Sequence, residues 1–113
     1  MTDEMLIESF HAFWNNYPYM VRLIRRDRIV LAVNRACADA GLEAGVLCSA
    51  IGPKEAHAGC LFNLALKEKI GKHQLMADGS RLKFWIPVEG REDAFVHFSV
   101  PSAEFSPESA GCL

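Results

Sequence analysis

The sequence predicts an α+β fold: a five-stranded antiparallel sheet with helices on one face and an N-terminal amphipathic helix. Two observations lead to this prediction. Apolar residues recur first at helical spacing, and then at strand spacing in two blocks that flank a helical middle region. Short polar turns join the strands within each block. Parallel strands would need a helix between each pair, so antiparallel pairing is favoured.

The composition fits one domain without a charged partner surface. The chain has 113 residues, and 12 basic against 14 acidic side chains give a net charge of −2. This charge offers no extended positive field for nucleic acid. No apolar run approaches the roughly 20 residues that span a bilayer, and the acidic N-terminus is unlike a signal peptide. We therefore expect a cytoplasmic protein that binds neither nucleic acid nor a membrane.

The first helix begins after Thr2, whose hydroxyl can cap it, and ends near Pro18. Asp3 and Glu4 lie in its first turn, as helix N-termini favour. Its apolar stripe is aromatic and covers either the domain's own sheet or the same helix of a second copy. Under the second alternative the protein is a homodimer, and the interface residues are Leu6, Phe10, Phe13, Trp14 and Tyr17.

The remaining elements follow from turn signals and periodicity. Strands over 19–25 and 29–33 form a hairpin, and Asn34 caps a short helix after it. A longer helix is predicted over 55–69, and the middle helices cover the sheet face that the first helix leaves open. Three further strands are predicted over 72–77, 82–88 and 95–100.

Three segments, in order and spacing, resemble a PAS domain, the sensory module of bacterial kinases, cyclases and transcription regulators. RLIRRDRIVLAVN is similar to the opening hairpin of that family, with Asn34 at the start of its short helix. WIPVEGREDAFVHFSV resembles the closing hairpin. Between them, the family's Gly, Cys, second Cys and Ala-Leu match Gly45, Cys48, Cys60, Ala65 and Leu66.

The resemblance covers residues 17–100, so we expect a helix over 1–16, a PAS-like domain over 17–100 and a C-terminal tail or connector over 101–113. It implies a non-catalytic sensory or signalling module. Such a module senses a small molecule or mediates protein–protein interaction, and acts on an output domain or a partner signalling protein.

A pocket for a small molecule is predicted between the long helix and the sheet, where an apolar concavity is the usual ligand site. The same residues could instead fill the core. The candidate lining residues are Cys48, His57, Cys60, Leu61, Leu64, Phe84, Ile86, Val96 and Phe98.

Cofactor chemistry is the alternative function, through Cys48, His57 and Cys60. Their C-x8-H-x2-C spacing lacks the paired short spacings of most zinc sites, so no metal and no cofactor are expected. A redox thiol or a metal remains open, as does haem, because haem-binding PAS relatives use a histidine on the long helix.

Enzyme motifs are missing from the sequence: it has no phosphate-binding glycine loop, HExxH or serine triad order. We therefore expect no catalysis. His97, within the last predicted strand, is the candidate general base of a small-enzyme alternative, but it is expected to face outward or to pack beneath the N-terminal helix.

Overall fold

A computed structural model describes residues 1–47 and 61–102. The described elements, in chain order, are α1 (Asp3–Trp14), β1 (Val21–Arg25), β2 (Val30–Val33), α2 (Arg35–Asp39), α3 (Phe62–Glu68), β3 (Lys72–Leu75), β4 (Arg81–Val88) and β5 (Arg91–Pro101).

The five strands form one antiparallel sheet in the order β2-β1-β5-β4-β3. The N-terminal hairpin and the C-terminal three strands meet where β1 pairs with β5, from Val21 opposite Phe98 to Arg25 opposite Ala94. This architecture confirms the predicted α+β fold and places β5 at the centre of the sheet.

Helix α1 covers one face of the sheet, which we call the outer face. The hydroxyl of Thr2 accepts a hydrogen bond from the backbone N–H of Met5, as predicted for the cap. Leu6 and Phe10 are only 3% and 4% exposed, and burial of each contributes roughly 1.5–3 kcal/mol. They pack with sheet residues in a cluster completed by Val21, Leu23, Ala32, Ala94 and Val96.

This packing corrects part of the predicted dimer interface. Leu6 and Phe10 lie mostly inside the chain's own core, so they offer little surface to a second copy. Trp14 and Tyr17 are half-buried against the same cluster. Phe13, by contrast, is 82% exposed and belongs to neither buried cluster.

Helix α3 covers the opposite face, which we call the inner face. Its Phe62 stacks on Phe95 of β5 with ring centroids 5.3 Å apart. Residues of α3 and of strands β1, β2, β4 and β5 form a second buried cluster: Ile24, Val30, Phe62, Ala65, Leu66, Trp85 and Phe95. Both faces of the sheet are therefore built into a hydrophobic core.

Asn34 joins the N-terminal segments. It is fully buried, and its Oδ1 accepts hydrogen bonds from the backbone N–H groups of Val21 (3.0 Å) and Cys37 (3.1 Å). Its Nδ2 lies within hydrogen-bond distance of the carbonyls of Trp14 (3.1 Å), Tyr17 (3.4 Å) and Tyr19 (2.8 Å). The predicted cap of α2 is confirmed, and the same side chain also fixes the connection from α1 to β1.

Several element boundaries differ from the sequence prediction by a few residues. The described part of the long helix is Phe62–Glu68, and residues 48–60 lie outside the described residues. Strand β5 begins at Arg91 instead of residue 95, because Glu89 and Gly90 alone make the turn between β4 and β5. Gly90 has a φ of 90°, a conformation that glycine adopts without steric cost.

Candidate functional site

The strand register sets four side chains in one row across the inner face. Arg22 of β1 lies opposite His97 of β5, His97 lies opposite Trp85 of β4, and Trp85 lies opposite Lys72 of β3. Directly paired residues share a sheet face, so these four lie side by side on the face that α3 partly covers. We call them the inner-face row.

Trp85 and His97 form the centre of the row. Their rings are stacked, with centroids 5.1 Å apart and planes at 13°. His97 Nδ1 lies 2.8 Å from the carbonyl oxygen of Phe84, and because that oxygen only accepts, Nδ1 carries the proton. The imidazole is thus held in one orientation, half-buried, against the indole of Trp85.

The indole of Trp85 is a buried donor without an acceptor. The residue is 1% exposed, and its Nε1 makes no hydrogen bond to any part of the chain that the structure describes. Buried polar groups in folded proteins almost always have a partner, and leaving one unpaired costs about 1–3 kcal/mol. Nε1 is therefore a position where a ligand's acceptor atom would stabilise the protein.

A second row continues the polar surface. Ser99 of β5 pairs with Lys83 of β4, and Lys83 pairs with Gln74 of β3. Arg81, farther along β4, donates from Nε to Ser99 Oγ at 2.9 Å. The two rows together carry guanidinium, ammonium and indole donors and no carboxylate of their own.

Lys72, at the edge of the inner-face row, forms an ion pair with a residue of α3. Its Nζ donates to Glu68 at 2.8 Å, which joins β3 to the last turn of the helix. On the other side of the row the inner face is apolar, with Ile24 and Phe95 beneath Phe62. The site thus has a half that carries the basic side chains and an apolar half that α3 covers.

Four of the predicted pocket residues lie on the outer face of the sheet. Phe84 pairs with Phe98 and Ile86 pairs with Val96, and these residues lie with Val21 and Leu23 on the outer face. Val96 is in the cluster beneath α1, and Phe98 contacts Trp14 with ring centroids 5.6 Å apart. The predicted grouping with the long helix is therefore wrong for Phe84, Val96 and Phe98, whereas Ile86 lines a cleft with Leu66 of α3.

The position of His97 also differs from the prediction. The sequence predicts that it faces outward or packs beneath the N-terminal helix, but it lies on the inner face against Trp85. In β4 and β5 both alternating sets contain large apolar residues, so alternation alone cannot say which set faces which helix. Trp85 and Phe95 are the large aromatic residues in the alternating sets that face α3. Their presence in the sequence indicates that this face is also buried.

The helix residues of the predicted pocket also divide. Leu61 packs against the inner-face cluster. Leu64 is 46% exposed and does not line the inner face, because Phe62, Ala65 and Leu66 occupy the buried side of α3. Cys48, His57 and Cys60 lie outside the described residues, so the redox, metal and haem alternatives stay predictions.

Cys37 is the one cysteine within the described ranges. It is fully buried on α2, and its thiol donates to the carbonyl of Val21 at 3.3 Å. Burial raises the pKa of the Cys37 thiol, which disfavours the thiolate that redox chemistry needs. Residues 1–47 and 61–102 hold no group of three or more His, Cys, Asp or Glu side chains placed to bind a metal ion.

Two concave regions lie away from the inner-face row. A groove of about 180 Å³ lies between α1 and the outer face, and its lining is almost wholly apolar: Met1, Leu6, Ser9, Phe10, Phe13, Trp14, Leu23, Val88 and Val96. A cleft of about 510 Å³ lies between the end of α3 and the β4–β5 turn. Ile86 lines this cleft, and an ion pair of 2.9 Å joins two other lining residues, Lys69 and Glu92.

None of the helices that the structure describes is long and apolar enough to cross a membrane.

Comparison with known proteins bears on the fold. No protein-family model and no curated protein matches the chain. A domain of an HTR-like protein from Haloarcula marismortui superposes with a TM-score of 0.60 at 21% identity, covering 74% of this chain and 97% of that one. A PAS domain of an HTR-like protein from the same organism gives 0.48 at 17% identity, covering 87% and 93%. The first likeness, together with the strand order β2-β1-β5-β4-β3, shows that this chain has the fold of a PAS domain, as its sequence predicted.

Proposed function

We propose that the protein is a sensory module that binds a small molecule on the inner face of its sheet and passes the signal to an output domain or a partner protein. The PAS fold supports a sensory or signalling role in general. The observation that carries the ligand proposal is the buried indole N–H of Trp85, which has no acceptor within the described residues. A ligand oxygen or nitrogen at that position would remove the cost of the unpaired donor.

The chain's two tryptophans allow a direct test, because each lies on a different face of the sheet. Trp14 packs against the outer-face cluster and Trp85 belongs to the inner-face cluster. The ¹⁵N-labelled protein should give two indole cross-peaks, which Trp14→Phe and Trp85→Phe assign. On titration with pools of small metabolites, we expect one pool to shift the Trp85 peak saturably while the Trp14 peak stays in place.

A downfield shift of the Trp85 peak would indicate a new hydrogen bond to the indole N–H. If every pool leaves the Trp85 peak unmoved, or if only the Trp14 peak responds, the ligand-sensing proposal is wrong.

The protein is also proposed to form a homodimer through α1, and Phe13 is the observation that favours it. Phe13 is 82% exposed and lies at the edge of the outer-face groove of about 180 Å³. An apolar cavity of roughly 150 Å³ accommodates benzene, so this groove has room for one phenyl ring. In a twofold pair the same patch serves both subunits, so each Phe13 would occupy the partner's groove.

The dimer proposal is tested with variants that leave the core intact. Phe13→Asp should convert the dimer to a monomer by light scattering at micromolar concentration, because it places a charge in an apolar groove. Ala12→Asp adds the same charge at an exposed position of α1 and should leave the dimer unchanged. A monomeric parent protein, or a dimer that Phe13→Asp does not weaken, would reject the interface.

A further inference from the structure

We propose that the cleft between the end of α3 and the β4–β5 turn binds a small organic amine in its ammonium form. Glu89 would hold the ammonium group, and the hydrocarbon part would pack on the apolar wall of the cleft. No residue of the inner-face row lines this cleft. The inference therefore stands apart from the ligand proposed for the inner face and from the proposed dimer.

The cleft arises because β3 is shorter than β4. Strand β3 begins at Lys72, which pairs with Trp85, so residues 86–88 of β4 have no partner on that side within the described chain. The connection from α3 to β3 passes this open edge through Ile70 and Gly71. The enclosed space of about 510 Å³ lies within the roughly 300–1,000 Å³ that small-molecule sites occupy.

One wall of the cleft is apolar and partly open to water. Ile70 is 56% exposed and Ile86 is 36% exposed, and the wall is completed by Leu66, Pro87 and Val88. Removing such surface from water is favourable, and so is removing the hydrocarbon of a ligand. A ligand with a few methylene groups or a ring would therefore bind here more tightly than a bare ion.

The charges of the lining favour a cation. Its charged side chains are Lys69, Glu89 and Glu92. Lys69 donates to Glu92 at 2.9 Å, and Arg26 Nη2 lies 3.4 Å from the carbonyl oxygen of Glu92, so Glu92 is the compensated carboxylate. The Glu89 side chain forms no hydrogen bond or ion pair with any part of residues 1–47 and 61–102.

Glu89 thus supplies an unpaired acceptor at the rim of an apolar cleft. An ammonium group donates charge-assisted hydrogen bonds to a carboxylate, whereas a carboxylate ligand would be repelled by it. An alkyl or aryl amine combines this donor with the hydrocarbon that the wall favours. At pH 7 such an amine carries its proton, as the lysine side chain does.

Two glycines of the lining, Gly71 and Gly90, report on the cleft directly. Protein labelled with ¹⁵N-glycine gives few backbone cross-peaks, and Gly71→Ala, Gly90→Asn and Gly79→Asn assign three of them. A Cβ at Gly71 meets its nearest neighbour at 3.9 Å, an ordinary contact, and asparagine is the side chain that best tolerates the positive φ of the other two. Gly79 lies outside the lining and is the internal reference.

The test titrates butylamine, cyclohexylamine and phenethylamine at pH 7 and constant ionic strength. Butanol lacks the charge, butyrate reverses it, and ammonium chloride lacks the hydrocarbon. We expect at least one amine to shift the Gly71 and Gly90 peaks saturably while the Gly79 peak stays in place. The three control compounds should bind at least about threefold more weakly.

Variants connect the effect to the cleft. Glu89→Gln removes the charge and Ile86→Ala removes part of the wall, and each should weaken amine binding by about threefold or more. Glu43→Gln and Leu64→Ala make the same changes at exposed positions outside the lining and should leave binding unchanged. Two cleft variants are used so that a folding defect in one, visible as a displaced Gly79 peak, does not remove the test.

Equal binding of butanol, butyrate or ammonium would overturn the assignment of an amine ligand. So would full binding by both cleft variants. Amines that leave the Gly71 and Gly90 peaks unmoved, or that shift only the indole peak of Trp85, would reject the cleft as the site.

Discussion

At the scale of single residues, Asn34 holds the most connections in the described part of the fold. Its side-chain oxygen bonds two backbone N–H groups, and its amide group contacts three carbonyls from the segment between α1 and β1. All of these partners lose their bonds if the side chain is shortened, and several are buried. Asn34 therefore couples the docking of α1 to the start of both β1 and α2.

Replacement of Asn34 should destabilise the domain strongly. We expect Asn34→Ala to lower the free energy of unfolding by at least about 2 kcal/mol, because it leaves buried backbone groups unpaired. Asn34→Asp keeps the two acceptor bonds but sets a carboxylate oxygen against the carbonyls of Trp14 and Tyr19, so it should be destabilised as well. Urea unfolding measures both, and a loss below about 0.5 kcal/mol in both variants would contradict the assigned role.

Trp85 shows that polar residues on the same side of a strand do not exclude burial of one residue among them. In the sequence it stands among Arg81, Lys83 and Pro87, which suggests a solvent-facing set. In the structure it is one of the largest fully buried side chains, because α3 covers that face beside the basic residues. The residue types next to Trp85 in the strand do not reveal how much of the sheet face a helix covers.

At the scale of elements, a charged cluster fixes the N-terminus of α1 to the sheet. Asp3 accepts from Arg91 Nη2 at 2.7 Å and from Arg25 Nη1 at 3.1 Å. Arg91 of β5 also binds Asp93 through Nε at 3.0 Å. The hydrogen bond from Arg91 lowers the pKa of Asp93, and the Asp93 and Asp3 carboxylates raise the pKa of Arg91.

This cluster predicts a pH dependence with a defined sign. The pKa of Asp93 is lower in the folded state, so its contribution to stability is present above the unfolded value of about 3.9 and is lost as the pH falls through the folded value. Asp93→Asn should therefore be less stable than the parent at pH 7, by less than about 1 kcal/mol because the pair is partly exposed. The difference should shrink between pH 5 and about pH 2.5 in urea unfolding. A difference that stays constant over this range would contradict it.

The sequence predicts helix caps and short turns well, because these depend on neighbouring residues. The Thr2 cap, the Asn34 cap and the hairpin around residues 26–28 each depend on a few neighbouring residues, and each is confirmed. The pairing of helices with sheet faces depends on contacts far apart in the chain. The sequence predicts the wrong sheet face for Val96, Phe98 and His97, because both alternating sets of β5 contain buried residues.

The candidate site illustrates the same limit. The sequence predicts a pocket between the long helix and the sheet. Leu61 packs against the inner-face cluster, and the strand side chains on that face include Arg22, Trp85 and His97, which were not predicted. Those three are neighbours only through the register of three strands. The register follows from the β1–β5 pairing, which joins residues about 75 positions apart in the chain.

At the scale of the whole molecule, β5 connects the two faces. It lies between β1 and β4, and its residues alternate between the inner face, with Phe95 and His97, and the outer face, with Val96 and Phe98. Phe98 contacts Trp14 of α1, and His97 contacts Trp85. Under the proposed function, a ligand that moves His97 acts on the strand that supports α1, where the proposed partner surface lies.

The central claim is that the inner face holds a ligand, and it can be checked with a crystal structure of the protein grown with the small molecule that shifts the Trp85 peak most. We expect ligand density between α3 and the inner-face row, with an acceptor atom about 3 Å from Trp85 Nε1. Density that shows the Trp85 N–H bonded to the protein's own chain, with side chains filling the space, would contradict it.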